Sequence, residues 1–188
     1  MTELPVQRFL LEAIAVLDRL GIPYAIMGGF AVRTWGVPRP TYDADLAVAV
    51  TEDRVAALLD ALEAGDFNVP DEHRKGFFDR LAGTLKFKIT RFEGHTVWQV
   101  DFFLVRGAFL ESAIARRKRT RLSGQEVWVL APEDLILLKL LAYRRKDQLD
   151  VEEILKVAKD VDVAYLRQWA DFLGVTSRLE EFLRERPA

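Results

Sequence analysis

The apolar pattern of this chain changes character near residue 130. Before that point, short runs typical of strands alternate with amphipathic segments that have helical spacing. After it, every segment has helical spacing, over residues 132–144, 150–159, 163–173 and 176–184. Strands mixed with helices, followed by helices alone, predict an α+β fold. We expect an α+β domain at 1–130 and a helical C-terminal part at 131–188 that packs on it.

Strand signals are confined to the first 130 residues. The sequence predicts strands at 24–27, 41–50, 84–90, 96–105 and 126–130. The third and fourth of these form a hairpin, and the fifth belongs to a second, shorter hairpin. Residues 65–83 carry no clear pattern and are expected to be mostly loop.

The composition limits the chemistry that this chain can perform. It contains no cysteine, which excludes disulfides, thiolate metal sites and cysteine nucleophiles. Two histidines leave little material for a histidine metal site or a Ser–His–Asp triad. No run approaches the roughly 18 apolar residues of a membrane span, and the first residues lack the pattern of a signal peptide. A cytoplasmic location without a membrane partner is therefore expected.

Two aspartates, Asp43 and Asp45, are separated by one residue in the predicted strand at 41–50. Side chains alternate between the faces of a strand, so these two carboxylates share a face. A divalent cation would relieve their repulsion, and oxygen ligands suit magnesium or manganese. Asp101 lies among large apolar residues of the strand at 96–105, where aspartate is unfavourable. If these strands are neighbours, three carboxylates meet and could hold two metals for phosphoryl chemistry.

Each of these features also has an ordinary structural explanation. Asp43 and Asp45 could cap a turn, and Asp101 could pair with an arginine. Two glycines at a strand-to-helix junction, Gly28-Gly29, leave backbone N–H groups open to a phosphate, although most such pairs simply form turns. Each feature alone favours the structural explanation, whereas the set favours a metal and phosphate site.

The basic run at 116–121 and Arg39 lie outside the helical part, and each has two possible roles. The run Arg116-Arg117-Lys118-Arg119-Thr120-Arg121 is either solvated charge at a helix end or a surface for phosphate or RNA. Arg39, in a proline-rich loop, is either a surface cation or a ligand for a phosphate, which the guanidinium fork suits.

One lysine of the helical part has unusual surroundings. Lys139 lies among apolar residues of the predicted helix at 132–144, so its ammonium either reaches solvent or meets a phosphate or carboxylate. Arg144, Arg145 and Lys146 are expected near the end of the same helix, where cations are favourable.

Three motifs follow one another in the N-terminal half: Gly28-Gly29-Phe30-Ala31-Val32, then Gly36, then Arg39-Pro40-Thr41-Tyr42-Asp43-Ala44-Asp45-Leu46. With Asp101 on a later strand, they resemble the signature of the DNA-polymerase-beta-like nucleotidyltransferases. Further matches are Pro132-Glu133-Asp134-Leu135, Lys139, Arg144, Lys146-Asp147 and Asp150. These are similar to small bacterial nucleotidyltransferases that include abortive-infection toxins. The resemblance covers most of residues 24–155, and Gly29 departs from the Gly-Ser form whose hydroxyl helps to hold the triphosphate.

This resemblance implies both a fold and an activity. The fold would be a nucleotidyltransferase fold, a short mixed sheet flanked by helices. The enzyme would transfer a nucleoside monophosphate from a nucleoside triphosphate to a hydroxyl acceptor and release pyrophosphate, with Mg²⁺ or Mn²⁺ as cofactor. The catalytic and metal-binding residues would be Asp43, Asp45 and Asp101. The nucleotide-binding residues would be Gly28, Gly29, Arg39, Thr41, Lys139 and Lys146.

The acceptor and the partners stay open at this point. A small-molecule alcohol would suit an acidic cleft, and RNA or tRNA would suit the Arg116–Arg121 run if that run borders the site. A toxin role would imply a cognate antitoxin or toxin protein. A non-catalytic nucleotide-binding or antitoxin-like protein could keep the fold, although three mutually repelling acids argue against it. A metal-dependent phosphohydrolase would not explain Gly28-Gly29 together with Lys139.

Overall fold

The computed structural model describes residues 5–37, 41, 43–75, 79–81 and 84–185. The described strands are β1 (Tyr24–Met27), β2 (Ala44–Val48), β3 (Asp79–Leu81), β4 (Thr84–Glu93), β5 (Thr96–Leu104), β6 (Lys118–Leu122) and β7 (Gln125–Val129). The described helices are α1 (Pro5–Arg19), α2 (Gly28–Trp35), α3 (Glu52–Glu63), α4 (Asp71–Arg74), α5 (Ala108–Ala115), α6 (Pro132–Ala142), α7 (Arg145–Val157), α8 (Val163–Phe172) and α9 (Thr176–Glu185).

The described strands form one mixed sheet in the order β3-β4-β5-β2-β1-β7-β6. The central strand β2 is antiparallel to β1 and parallel to β5, while β1 is parallel to β7. The pairs β4–β5 and β6–β7 are the two predicted hairpins. The α+β class, the mixed sheet and the helical C-terminal part are therefore confirmed.

Apolar periodicity explains how the sheet is covered. The buried side of α1, which includes Phe9, Leu10 and Leu17, packs over β5 and β2. Beneath it, Phe87 of β4 stacks on Phe102 of β5, with ring centroids 4.7 Å apart. Burial of such side chains supplies most of the driving force for folding. Among the described residues, no helix is both long and apolar enough to cross a bilayer.

Two features of the middle of the chain differ from the prediction. The described part of residues 65–83 includes two short elements that the sequence did not predict, α4 and β3, and β3 pairs with β4. Elements of three or four residues are too short for periodicity to reveal. The strand predicted at 41–50 covers only Ala44–Val48, so Asp43 precedes the strand.

The junction between α6 and α7 also differs from the prediction. Tyr143, with φ of 49°, adopts a left-handed conformation that ends α6. Arg144 is the N-cap of α7, and the Asp147 carboxylate accepts a hydrogen bond from the Arg144 backbone N–H at 3.2 Å. Arg144, Arg145 and Lys146 therefore lie at the start of α7, and their predicted place at the end of α6 is wrong. The domain boundary at residue 130 stays a prediction.

Candidate active site

The glycine pair lies where β1 meets α2. Gly28 has φ of +62°, and a Cβ there would lie 1.9 Å from Asp45 Oδ2. A Cβ on Gly29 would lie 2.0 Å from Thr41 Oγ1. An alanine at either position would therefore displace the side chain of Asp45 or Thr41, each of which lies close to the glycine backbone. The N-cap residue Met27 makes no side-chain cap, so the first N–H groups of α2 stay available to a ligand.

The three predicted carboxylates surround one cavity of about 370 Å³. Asp45 of β2 lies directly opposite Asp101 of β5 in the parallel register. On its other side Asp45 pairs with Met27, the residue before the glycines. Asp43 is exposed at the entrance to β2 and also lines the cavity. The prediction that β2 and β5 are neighbours is confirmed, and it brings the aspartates and glycines together.

The Asp45 carboxyl lies in surroundings that disfavour its ionised form. The pKa of Asp45 is raised from 3.8 to about 6. Burial is the largest cause, and the charges of Asp43 and Asp101 raise the pKa further, while Lys139 and Lys86 lower it. The folded chain therefore holds Asp45 in surroundings that favour a positively charged ligand.

Lys86 is a site residue that the sequence analysis missed. Its Nζ lies 2.9 Å from Asp101 Oδ2, and both side chains are largely buried. Asp101 Oδ1 is also buried and has no hydrogen-bond partner among the described residues. The alternation of β4 places Lys86 on the polar face, but only the register of the β4–β5 hairpin reveals that it reaches Asp101. We call Asp43, Asp45, Lys86 and Asp101 the sheet wall of the cavity.

The opposite side of the cavity is formed by α6 and α7. Lys139 Nζ lies 3.0 Å from Asp147 Oδ1 and 2.8 Å from Asp150 Oδ2. The Lys139 side chain is only 8% exposed, so it meets carboxylates and does not reach out to solvent. Arg144 Nε donates to Asp147 Oδ2 at 2.6 Å. We call Lys139, Arg144 and Asp147, which line the cavity, together with Asp150, which pairs with Lys139, the helix wall.

Charges within the helix wall compensate one another. Burial alone would raise the pKa of Asp147. Hydrogen bonds and charges from Arg144 and Lys139 outweigh that effect and lower the pKa below its usual value. Sequence reasoning identified Lys139 by its apolar neighbours, but it did not identify Asp147 and Asp150 as the carboxylates that the ammonium contacts.

The other predicted nucleotide-binding residues have different positions. Lys146 lines the cavity at the start of α7. Thr41 is buried beside Gly29, and its hydroxyl has no hydrogen-bond partner among the described residues. Arg39 lies outside the described residues, and its role stays a prediction.

The donor set is compatible with a hard divalent cation. Within the described part of the chain, no three Asp, Glu, His or Cys side chains form a ready-made metal site. Magnesium, however, usually takes one or two carboxylates and completes its shell with water and substrate phosphates. The unpartnered Asp101 Oδ1 and the raised pKa of Asp45 both indicate carboxylate oxygen that a cation could satisfy. The residues present therefore fit Mg²⁺ or Mn²⁺.

The basic run at 116–121 serves the fold at the opposite edge of the sheet. Arg116 packs 3.6 Å from the Tyr165 ring centroid and bonds Glu133 at 3.1 Å. Arg117 and Arg119 both lie over the ring of Trp128. The run begins at the end of a helix, as one of its two predicted roles required: Arg116 is the C-cap of α5, and Arg117 donates to the Ile114 carbonyl oxygen at 2.7 Å. Its remaining residues belong to β6, and none of the run is among the described lining of the cavity. The condition set for an RNA role, that the run borders the site, is not met.

Comparison with solved structures defines the class of fold. The chain resembles the antibiotic-resistance factor ANT(2'')-Ia with a TM-score of 0.59 at 17% identity, covering 95% of this chain and 97% of that one. It resembles the lincosamide antibiotic adenylyltransferase LnuA with a TM-score of 0.55 at 11% identity, covering 84% and 100%. An antigenic nucleotidyltransferase-like protein from Paracoccidioides brasiliensis gives a TM-score of 0.52 at 21% identity, covering 95% and 92%. The fold is thus a nucleotidyltransferase fold.

Sequence comparison identifies the family. The family model "Nucleotidyl transferase AbiEii toxin, Type IV TA system" matches residues 9–187. The chain therefore belongs to this family and is a nucleotidyltransferase, which confirms the resemblance seen in the sequence. No curated protein matches it.

Proposed function

We propose that this chain is a metal-dependent enzyme that transfers a nucleoside monophosphate from a nucleoside triphosphate to a hydroxyl acceptor and releases pyrophosphate. The observation that carries the proposal is the cavity in which Asp43, Asp45 and Asp101 face the open N-terminus of α2. Carboxylates for a cation and backbone N–H groups for phosphate are the two requirements of this chemistry.

The metal would be held by the sheet wall. Asp43 and Asp45 are proposed as its carboxylate ligands, with Asp101 as the third through Oδ1, which has no partner among the described residues. Bound Mg²⁺ or Mn²⁺ would neutralise phosphate charge and polarise the phosphoryl group.

The triphosphate would lie between the two walls. The N–H groups of Gly28 and Gly29 are proposed to bind its phosphate oxygens, together with Arg39, Thr41 and Lys146. Lys139 is proposed to donate its third N–H to a phosphate oxygen from the helix wall, where Asp147 and Asp150 already hold its ammonium in place. Fixed donors of this kind accelerate a reaction because they need no reorganisation as charge develops.

The acceptor hydroxyl would be deprotonated on the sheet wall. Asp101 is proposed to accept its proton, while Lys86, 2.9 Å away, moderates the charge on that carboxylate. The acceptor oxygen then forms a bond to the α-phosphorus, and the bond to the pyrophosphate leaving group breaks. Alignment of the reacting atoms accounts for much of the expected rate.

A toxin role is the biological setting that the family favours. Because its members are described as toxins of a type IV toxin–antitoxin system, we propose a cognate antitoxin as the functional partner. Small-molecule acceptors stay a second possibility, since one solved relative is described in complex with adenylyl-2''-tobramycin and another as lincomycin-bound. A non-catalytic, nucleotide-binding protein is the alternative of a different class.

Turnover separates the enzyme from the non-catalytic alternative. The purified chain would be incubated with each α-³²P-labelled ribonucleoside triphosphate and Mg²⁺, together with either a total RNA pool or a panel of amino-alcohol antibiotics. We expect pyrophosphate release and label transfer in the wild type and their loss in Asp43→Asn. Since Asp43 is exposed, its substitution should leave the fold intact, and Asp171→Asn, at an exposed helix position, is the matched control.

Retention of Mg²⁺-dependent pyrophosphate release by Asp43→Asn would contradict the assignment. Triphosphate binding without release by the wild type, with either class of acceptor, would favour the non-catalytic alternative.

A further inference from the structure

A buried polar cluster joins α8 to α5 and α6. Asp134, in the first turn of α6, is completely buried. Tyr165 of α8 donates its hydroxyl hydrogen to Asp134 Oδ1 at 2.6 Å. Ser112 Oγ of α5 lies 3.2 Å from the same tyrosine oxygen. The Asp134 carboxyl is therefore the point at which side chains of three helices meet.

The charges of this cluster do not balance. Two buried carboxylates, those of Glu133 and Asp134, share the guanidinium of Arg116. The Glu133 carboxylate accepts hydrogen bonds from Arg116 Nη2 at 3.1 Å and from the Asp162 backbone N–H at 3.0 Å. Arg116 Nε lies 3.5 Å from Asp134 Oδ2, but neither atom has a hydrogen-bond partner among the described residues. An ionised Asp134 therefore keeps one oxygen buried without a donor, which is unfavourable for a charged group.

A proton on Asp134 fits the same arrangement. In the contact between Ser112 and Tyr165, either oxygen could be the donor. A protonated Asp134 can therefore donate to the Tyr165 oxygen while Tyr165 donates to Ser112, so the hydrogen bonds reverse and the helices keep their places.

The surroundings of Asp134 favour this protonated form. Burial is the largest cause that raises the pKa of Asp134 from 3.8 to about 6; Tyr165 and Arg116 lower the pKa, and the charge of Glu133 raises it. These three residues are the titratable or charged groups that face Asp134 from α8, from the end of α5 and from α6 itself. The Asp162 carboxylate instead accepts from the backbone N–H of Tyr165 and caps α8.

We propose that Asp134 is a proton-dependent latch, which holds α8 against α6 when its carboxyl is protonated and weakens that attachment when it is ionised. Detachment of α8 would let water solvate the charge that the closed arrangement leaves buried. Because the pKa is higher in the closed arrangement, the stabilisation is fully present below pH 3.8 and is lost as the pH rises through about 6. The latch does not depend on the proposed function.

A single introduced thiol can report the opening of α8, because the chain contains no cysteine. Ala170→Cys places a thiol at a completely buried position of α8, and Ala13→Cys does the same in α1. Labelling by a pyridyl disulfide would be measured over a series of urea concentrations at two pH values. Each rate would be divided by that of a free model thiol at the same pH.

We expect the opening of α8 to rise about tenfold between pH 5 and pH 8, because Asp134 has a pKa near 3.8 when exposed and about 6 when closed. Labelling of the α8 thiol should depend weakly on urea, since a local opening exposes little surface. The α1 thiol should label more slowly and with the steep urea dependence of global unfolding.

Three further variants distinguish titration of Asp134 from a purely structural role. Asp134→Asn keeps an acceptor for Tyr165 but does not ionise, so the rise with pH should disappear. Tyr165→Phe removes a hydrogen bond that lowers the pKa of Asp134, so the rise should begin at a higher pH. Asp171→Asn, at an exposed position of α8, is the matched control and should keep the tenfold rise.

The latch is overturned if the α8 thiol labels equally at both pH values or if Asp134→Asn keeps the rise. It is also overturned if the α8 and α1 thiols label at the same rate with the same urea dependence, since α8 would then open only on global unfolding. If Ala170→Cys does not fold, hydrogen exchange of the α8 amides measures the same opening. Wild type should then exchange faster than Asp134→Asn at pH 8 by about tenfold more than at pH 5, and an equal ratio at the two pH values would overturn the latch.

Discussion

The sheet wall and the helix wall of the cavity carry charge in different ways. In the helix wall, the Lys139 ammonium is shared by two aspartates, one of which also bonds Arg144, so buried charge is compensated. In the sheet wall, Lys86 bonds one oxygen of Asp101, the other oxygen has no partner among the described residues, and Asp45 has a raised pKa. The helix wall is therefore a structural brace, whereas the sheet wall holds carboxylates whose charge is unfavourable until a ligand binds.

The largest expected effect comes from breaking the brace. Lys139→Met removes the ammonium that the buried carboxylates of Asp147 and Asp150 share, which should lower the free energy of unfolding by about 3 kcal/mol or more. Urea unfolding of the metal-free chain would measure it. Lys156→Met, at a lysine that is half exposed on α7, is the control and should change stability by less than about 0.5 kcal/mol. If Lys139→Met loses no more stability than Lys156→Met, the helix wall does not act as a structural brace.

Removing the Asp45 charge from the sheet wall should raise the free energy of unfolding, which is the opposite of the effect expected for Lys139→Met. Because the pKa of Asp45 is raised from 3.8 to about 6, its ionised form is disfavoured in the folded state. The stability that the protonated Asp45 carboxyl contributes is fully present below pH 3.8 and is lost as the pH rises through about 6. Asp45→Asn should therefore stabilise the metal-free chain by up to about 3 kcal/mol at pH 7 and by little at pH 4.

Denaturant unfolding at pH 7 and pH 4 measures whether Asp45→Asn stabilises the chain. Asp171→Asn, at an exposed position, is the control and should change the free energy of unfolding little at either pH. A destabilised Asp45→Asn at pH 7 would show that the sheet wall is compensated like the helix wall.

A smaller effect concerns the close approach of Asp45 to the glycine turn. Gly28→Ala would place a methyl group 1.9 Å from Asp45 Oδ2, in a backbone conformation that alanine disfavours. Gly94→Ala is a matched control, because Gly94 has φ of +58° and open space around its Cβ position. Both substitutions should lower the free energy of unfolding by about 1 kcal/mol, because alanine disfavours the left-handed backbone conformation of these two glycines. Gly28→Ala should lower the free energy of unfolding by about 1 kcal/mol more than Gly94→Ala, and it should also abolish thermal stabilisation by triphosphate. If the two substitutions lower stability equally and Gly28→Ala still binds triphosphate, the close packing of Asp45 against Gly28 is wrong.

The sequence predicted the sheet wall better than the helix wall. Asp43, Asp45 and Asp101 are recognisable because their spacing follows strand period and because acids are unusual in apolar strands. Lys86 was missed because its partner depends on cross-strand register, which no local pattern specifies. Asp147 and Asp150 were missed as partners of Lys139 because α6 ends at Tyr143, a left-handed residue that is not glycine. Arg39, the domain boundary and the cytoplasmic location stay predictions.

The central claim is that the sheet wall binds a triphosphate together with a divalent cation, and thermal unfolding with each ribonucleoside triphosphate tests it most directly. At about a hundred times its dissociation constant, a ligand adds roughly 2.7 kcal/mol, which corresponds to about 5–10 °C for a chain of this size. We predict such a rise in the midpoint with Mg²⁺, little without it, and none in Asp43→Asn. A rise that is independent of Mg²⁺, or that Asp43→Asn retains, would contradict the account.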